Sequence, residues 1–325
     1  MERASINELT PERRLRRLEL SITRRLDGLL HGQYLGLLPG IGSEPSGSRE
    51  YRAGEDEVRR MDWAVTARTT VPHVRTADAD RELGTWVLVD GSPSMDFGTA
   101  ELEKRELAVA AAAAVGFLTS GSGNRFGAHL LGPLGVRRFP ARGGRTHLLG
   151  ILRSLLAVPR GMPVVDPIAL TEAVEGMHRA VRRRGLVVVV SDFLDGLHQD
   201  GLGSEPPQWE QPLRRLAARH QVLAVQVVDP REGELPDVGL LTLVDPETGR
   251  RREVSTAGRR LRERYAAAAR RQQDTITGAI RRAGATQLPL RTDRDWVADI
   301  VRHVYAQRRL ARGAHRPMSS GGTVA

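Results

Sequence analysis

The spacing of hydrophobic and polar positions changes several times along the chain. Leu15, Leu18, Ile22, Leu26, Leu29 and Leu30 recur at three- and four-residue steps among arginines, which predicts an amphipathic helix over 11–30 docked on the body of the protein. A Gly/Pro/Ser-rich stretch, 32–48, and polar, arginine-rich sequence to Leu83 show little periodicity. From Trp86 the pattern alternates between short apolar runs and helical periods. Strands are predicted at 86–90, 125–131, 136–139, 186–191, 222–228 and 286–290. Helices are predicted at 102–119, 146–157, 166–183, 209–220, 258–283 and 293–310, the last capped by Thr292 or Asp293. Two short segments around 240–244 and 251–254 flank Asp-Pro-Glu-Thr-Gly and predict a hairpin.

Apolar runs alternating with helices imply βαβ units, a doubly wound, mostly parallel sheet and helices on both faces. The expected organisation is an N-terminal extension, 1–82, an α/β domain, 83–311, with a small hairpin insertion about 239–254, and a disordered tail, 312–325. Leu107 to Leu118 is alanine-rich and shorter than the roughly 18–20 residues of a membrane span, and the N-terminus lacks the basic-then-apolar pattern of a signal peptide. A cytoplasmic location is expected.

Composition adds two constraints. With no cysteine among 325 residues, disulfides, thiolate metal sites and cysteine nucleophiles are excluded. The net charge of +10 is almost all arginine, since Lys104 is the only lysine. From Ser255 onward there are 15 arginines and five acids, so this segment carries the whole excess. Aromatic residues that would stack bases are sparse there, which favours a solvated helical face over a nucleic-acid surface.

In a doubly wound sheet, ligands bind beyond the carboxyl ends of the strands, where the strand order reverses. Asp90, Asp192 and Asp229 all end predicted strands. Asp90-Gly-Ser92-Pro-Ser94 puts one carboxylate and two hydroxyls at alternating positions, an all-oxygen group of the kind hard divalent ions prefer. Asp192 can join it from a neighbouring strand, and Thr146 adds a hydroxyl after Gly143-Gly144. Thr146 could equally cap the helix that follows it. Asp229, beside Pro230, reads as a turn residue, and His147 as a packing histidine.

Asp90, Ser92, Ser94, Thr146 and Asp192 resemble the metal-ion-dependent adhesion site of a von Willebrand factor type A domain. The resemblance implies one Mg²⁺ (or Mn²⁺ or Ca²⁺) atop the sheet. Ser92, Ser94 and Thr146 would hold it nearly directly, the two aspartates through water, and one position would stay open for a partner's carboxylate. The segment Arg49-Glu-Tyr51 through Asp56, Arg59, Asp62-Trp63 and Arg68 is similar to the hallmark (47–68) of the "domain of unknown function fifty-eight" family, with Glu55, Met61 and Thr66 as departures. Those residues form either a buried ion-pair network or a partner surface. Asp229-Pro-Arg-Glu232, Leu235-Pro236 and Arg-Glu-Arg-Tyr265 are similar to the family's C-terminal part. The family implies a non-enzymatic adaptor for a MoxR-type AAA+ ATPase or a protein client. Two other readings stay open. One is an Mg²⁺-dependent phosphoesterase or nuclease using Asp90 and Asp192, although serines stand where carboxylates are usual. The other is nucleic-acid association through the C-terminal helices.

Overall fold

A computed structural model describes residues 46–51, 58, 61–76, 84–100, 102–119, 124–158, 168–197, 205–244 and 250–314, together with 16, 20 and 25. The N-terminal helix expected over 11–30, Asp56, Arg59 and the end of the tail lie largely or wholly outside these residues.

Three sheets form. A two-stranded antiparallel ribbon pairs β1 (Ser46–Glu50) with β2 (His73–Thr76), and the short helix α1 (Trp63–Thr69) lies between them in sequence. The central sheet then collects β3 (Gly84–Asp90), β4 (Arg125–Gly132), β5 (Gly135–Arg142), β6 (Leu186–Ser191), β7 (Gln221–Val228) and β10 (Thr286–Arg291) in the order β10-β7-β6-β3-β4-β5. All of its neighbours are parallel except β4 and β5. The strands β8 (Leu240–Val244) and β9 (Arg251–Ser255) make a separate antiparallel hairpin.

The helices are α2 (Lys104–Thr119), α3 (Arg145–Leu156), α4 (Leu170–Ala180), α5 (Glu210–Arg219), α6 (Pro230–Gly233), α7 (Arg259–Arg282) and α8 (Trp296–Ala314). They divide between the two faces of the sheet. Val188, Val190, Val225 and Val227 point to one face, packed with α2, α3 and α8; Val187, Val189, Val222 and Ala224 point to the other, packed with α4, α5 and the end of α7. Burial on both faces explains why β6 reads as an unbroken valine run rather than an alternating strand. The alanines of α2 serve the same geometry. Ala108 and Ala110–Ala114 are all buried, and their small side chains let the helix sit in the middle of its face.

The elements follow the sequence expectations closely, with three differences. The one-turn helix α6 stands where only a turn was expected. The α1–ribbon unit was not anticipated, because its strands are short and polar. Helix α8 begins at Trp296 and is capped by Asp295, whose carboxylate accepts from the Ala298 N–H at 3.3 Å. Thr292 instead bonds Asp229, and Asp293 pairs with Arg291. Among the described residues no helix is long and apolar enough to cross a membrane.

Candidate functional site

The strand order reverses between β3 and β6, whose direct pairing sets Thr85 to Val89 beside Leu186 to Val190. Asp90 closes β3 and Asp192 follows β6 at the same end. The switch-point crevice therefore holds both expected carboxylates.

The loop after β3 is fixed by its backbone. The Gly91 N–H donates to the Leu131 carbonyl at 2.7 Å, and a β-carbon at Gly91 would lie 2.6 Å from that oxygen. Only glycine lets the loop run so close to β4. Arg105 braces the same loop from α2, reaching the Gly91 carbonyl at 3.0 Å and the Asp96 carboxylate at 2.7 Å. Ser92 and Ser94 are half-buried, and their hydroxyls meet at 3.1 Å.

Both aspartates are occupied by protein donors. Asp90 accepts from the Ser92 N–H at 2.9 Å and from the Ser191 hydroxyl at 2.6 Å. Asp192 accepts from the Leu194 N–H at 3.1 Å and from the Lys104 ammonium at 2.7 Å. Burial, and then the nearby Asp192 carboxylate, push Asp90 up to about 6. Lys104 also pairs with Glu232 and is wholly buried. Burial opposes its charge, but Asp192 and Glu232 outweigh that and raise it above the ordinary lysine value. Glu232 in turn closes a capping box with Asp229 at the start of α6. Asp229 is thus the turn residue expected, and it lies outside the Asp90–Asp192 pair.

Phe193, directly after Asp192, has a φ of 60°, a left-handed backbone that a bulky side chain adopts only under constraint. The constraint is visible. Its N–H donates to the Ser191 hydroxyl at 3.0 Å, and its ring meets Trp209 edge-on at a centroid distance of 5.1 Å.

Thr146 does not join this group. The antiparallel strand β5 carries the chain back to the amino-terminal end of the sheet, where Arg142 lies opposite Phe126. Phe126 is level with Thr85 at the start of β3, whereas Leu131 is level with Asp90. Five residues of strand, about 16 Å, therefore separate the level of Phe126, where β5 ends and His147 sits, from the level of Asp90. Nor does Thr146 cap its helix, since Gly144 holds the cap position. His147 beside it lies within hydrogen-bonding distance of the Phe126 and Pro140 carbonyls, a packing role. Helix α3 brings the chain back to the carboxyl end, where Arg105 reaches both the Gly91 and the Val158 carbonyls.

Among the described residues the five expected oxygens do not assemble into one divalent site. One hydroxyl ligand is at the wrong end of the sheet, and an ammonium is bonded to one of the two carboxylates. Among the described residues no three His, Cys, Asp or Glu side chains form a group that could hold a metal ion. Lys104, Glu232 and Ser191 were not anticipated as members of the site. The signal available for Lys104 was that it is the sole lysine of an arginine-rich chain.

Of the hallmark segment, Arg49 lies in β1 and half-buried Tyr51 donates its N–H to the Pro72 carbonyl at 2.8 Å. Asp62 caps α1 through the Ala64 and Val65 N–H groups. Trp63 is 65% exposed and Arg68 is exposed, so neither belongs to a buried network. The arginine excess of the C-terminal segment is partly neutralised. Arg262 pairs with Asp237 and Arg282 with Glu210, acids outside the segment, while Arg259, Arg291 and Arg302 pair with acids of the segment itself.

Fold and site define a doubly wound α/β domain with a polar, charge-compensated crevice at its switch point. The chain belongs to the family described as "Protein of unknown function DUF58", which it matches over residues 47–275. It is 51% identical over 316 residues to the uncharacterized protein Rv1480 of Mycobacterium tuberculosis, covering 97% of this chain and 96% of that one. It is 45% identical over 174 residues to the uncharacterized protein MAV169 of Mycobacterium avium, covering 54% of this chain and 96% of the relative. Among solved structures, it is similar to the conserved hypothetical protein BatB from Bacteroides thetaiotaomicron, with a TM-score of 0.39, 12% identity and coverage of 70% and 99%. It is also similar to the SpRpn10 VWA domain, with a TM-score of 0.34, 13% identity and coverage of 75% and 99%.

Proposed function

We propose that this protein is a non-enzymatic interaction module that receives a protein partner at the carboxyl end of its sheet. The partner class implied by the family resemblance is a MoxR-type AAA+ ATPase. The observation that carries the reading is the composition of that end. The half-buried Ser92 and Ser94 hydroxyls are followed by Phe97, 39% exposed, while the hairpin that follows β7 and α6 exposes Leu240 and Val244. Exposed apolar side chains beside polar anchors are characteristic of protein-binding surfaces. The two carboxylates, by contrast, are each held by two internal donors, which suits a fixed scaffold better than proton transfer to a substrate. Co-purification with the MoxR-type ATPase of the same genome tests the proposal. Phe97→Asp combined with Leu240→Asp should weaken capture at least tenfold, and unchanged capture would overturn the docking surface.

A further inference from the structure

The Lys104 ammonium stands where a cation is least expected on ordinary grounds. It is the first residue of α2, and a helix amino terminus carries partial positive charge that disfavours a second positive group. It is also wholly buried, which adds the cost of stripping its water. Both penalties are offset by two carboxylates, Asp192 from the end of β6 and Glu232 from α6. The pairing ties together three elements distant in sequence at the end of the sheet where a metal was expected.

The choice of lysine is specific. The chain's other permanently charged basic side chains are all arginines. A guanidinium is a wide planar fork, whereas an ammonium is a compact point charge with three donors, closer in shape to a small cation. It meets the Asp192 carboxylate at 2.7 Å. A divalent ion added beside Asp192 would face that fixed positive charge at close range in a poorly solvated site.

We infer that Lys104 is the resident cation of this crevice, replacing the divalent ion, so that the protein folds and presents its surface without metal. A partner carboxylate is then not recruited through an open metal position. Recognition falls to the Ser92 and Ser94 hydroxyls and the apolar side chains around them. The inference rests on the interaction reading only for what the crevice is for, and it is tested without a partner.

The experiment is a thermal-unfolding and Mn²⁺-binding series on the full chain. The wild type is compared in EDTA and in about 10 mM Mg²⁺, Mn²⁺ or Ca²⁺. A site with a Kd near 0.1 mM would raise the midpoint by several degrees under those conditions. The expected shift is below about 1 °C, with no saturable Mn²⁺ signal by electron paramagnetic resonance. Lys104→Gln removes the ammonium and leaves its two carboxylates, and it should gain a midpoint shift of several degrees with Mg²⁺. If that variant does not fold, Lys104→Gln with Glu232→Gln removes one buried acid as well and carries the same readout. Saturable binding of Mn²⁺ to the wild type, lost in Asp192→Asn, would overturn the inference. So would a folded Lys104 variant that remains indifferent to divalent ions. Either result would leave partner capture at Phe97 and Leu240 untouched, so the two proposals fail separately.

Discussion

Asp229 holds Thr99 by two bonds, from the backbone N–H at 2.9 Å and from the hydroxyl at 2.6 Å, across 130 positions of sequence. The same carboxylate accepts from the Arg231 N–H at 2.9 Å and from the Thr292 hydroxyl at 2.8 Å. One wholly buried acid thereby joins the loop after β3, the start of α6 and the end of β10. These hydrogen bonds outweigh burial and keep its carboxyl below the usual carboxylate range. Asp229→Ala removes the acceptor from four donors at once and should cost about 2–4 kcal/mol in urea unfolding at neutral pH. Thr292→Val removes a single bond and should cost about 1 kcal/mol. Amide exchange at Thr99 should quicken markedly in Asp229→Ala and little in Thr292→Val.

The left-handed conformation of Phe193 gives a second expectation, in which the usual order of two substitutions is inverted. Alanine is ordinarily the more stable replacement, because glycine adds disorder to the unfolded chain. At a φ of 60° a β-carbon is strained by about 1–2 kcal/mol, and glycine is not. Both variants lose the ring contact with Trp209 and should be destabilised. Phe193→Gly should nevertheless match or exceed Phe193→Ala in denaturant midpoint. An alanine variant more stable by about 1 kcal/mol would show that packing has relieved the strain.

The fold was legible because its signals are local and redundant. The valine run Leu186–Ser191, the alanine-rich α2 and the turn between β8 and β9 each announce one element, and most observed boundaries fall within a few residues of expectation. Asp90 and Asp192 were legible for a topological reason, since acids that end parallel strands share one edge of the sheet. Thr146 was misplaced although the cue was present: the short Gly132-Pro-Leu-Gly135 connection allows only antiparallel pairing of β4 and β5, and that reversal carries the chain away from the Asp90 end before Thr146 is reached. Lys104 was hidden differently. Nothing in a helix-forming stretch tells that its first residue points into a crevice between two acids contributed by residues 88 and 128 positions later.

Glycine placement at the site gives a contrasting pair of expectations. Gly91→Ala brings a β-carbon within 2.6 Å of the Leu131 carbonyl, a backbone atom that cannot yield without moving β4. The loop carrying Ser92 and Ser94 should shift, with a stability loss of about 1–3 kcal/mol and weaker partner capture. Gly150 sits within α3 with nothing within 4 Å of its added β-carbon. Gly150→Ala should therefore stabilise by about 0.5–1 kcal/mol and leave capture unchanged.

His129 sets a pH dependence whose sign can be worked out. It lies in β4, 2% exposed, with its ring edge-on to Trp86 at 5.9 Å. Burial, and then the charge of Arg138, lower its pKa from 6.5 to about 4. Above pH 6.5 both folded and unfolded chains carry it neutral, so it adds no pH dependence there. Between about 6.5 and 4 the unfolded chain takes up a proton that the folded chain refuses, and stability falls as the pH falls. Asp90, raised to about 6, works in the opposite sense, because its folded form holds a proton that the unfolded chain gives up between about 4 and 6. The total slope thus mixes opposing contributions, and the informative quantity is the difference between two proteins. His129→Phe keeps an aromatic ring against Trp86 and removes the titration. On going from pH 7 to pH 4 the wild type should lose on the order of 2–3 kcal/mol more than His129→Phe, measured by urea unfolding at each pH. Parallel pH profiles for the two proteins would mean that the folded chain accepts the proton on His129 as readily as the unfolded one.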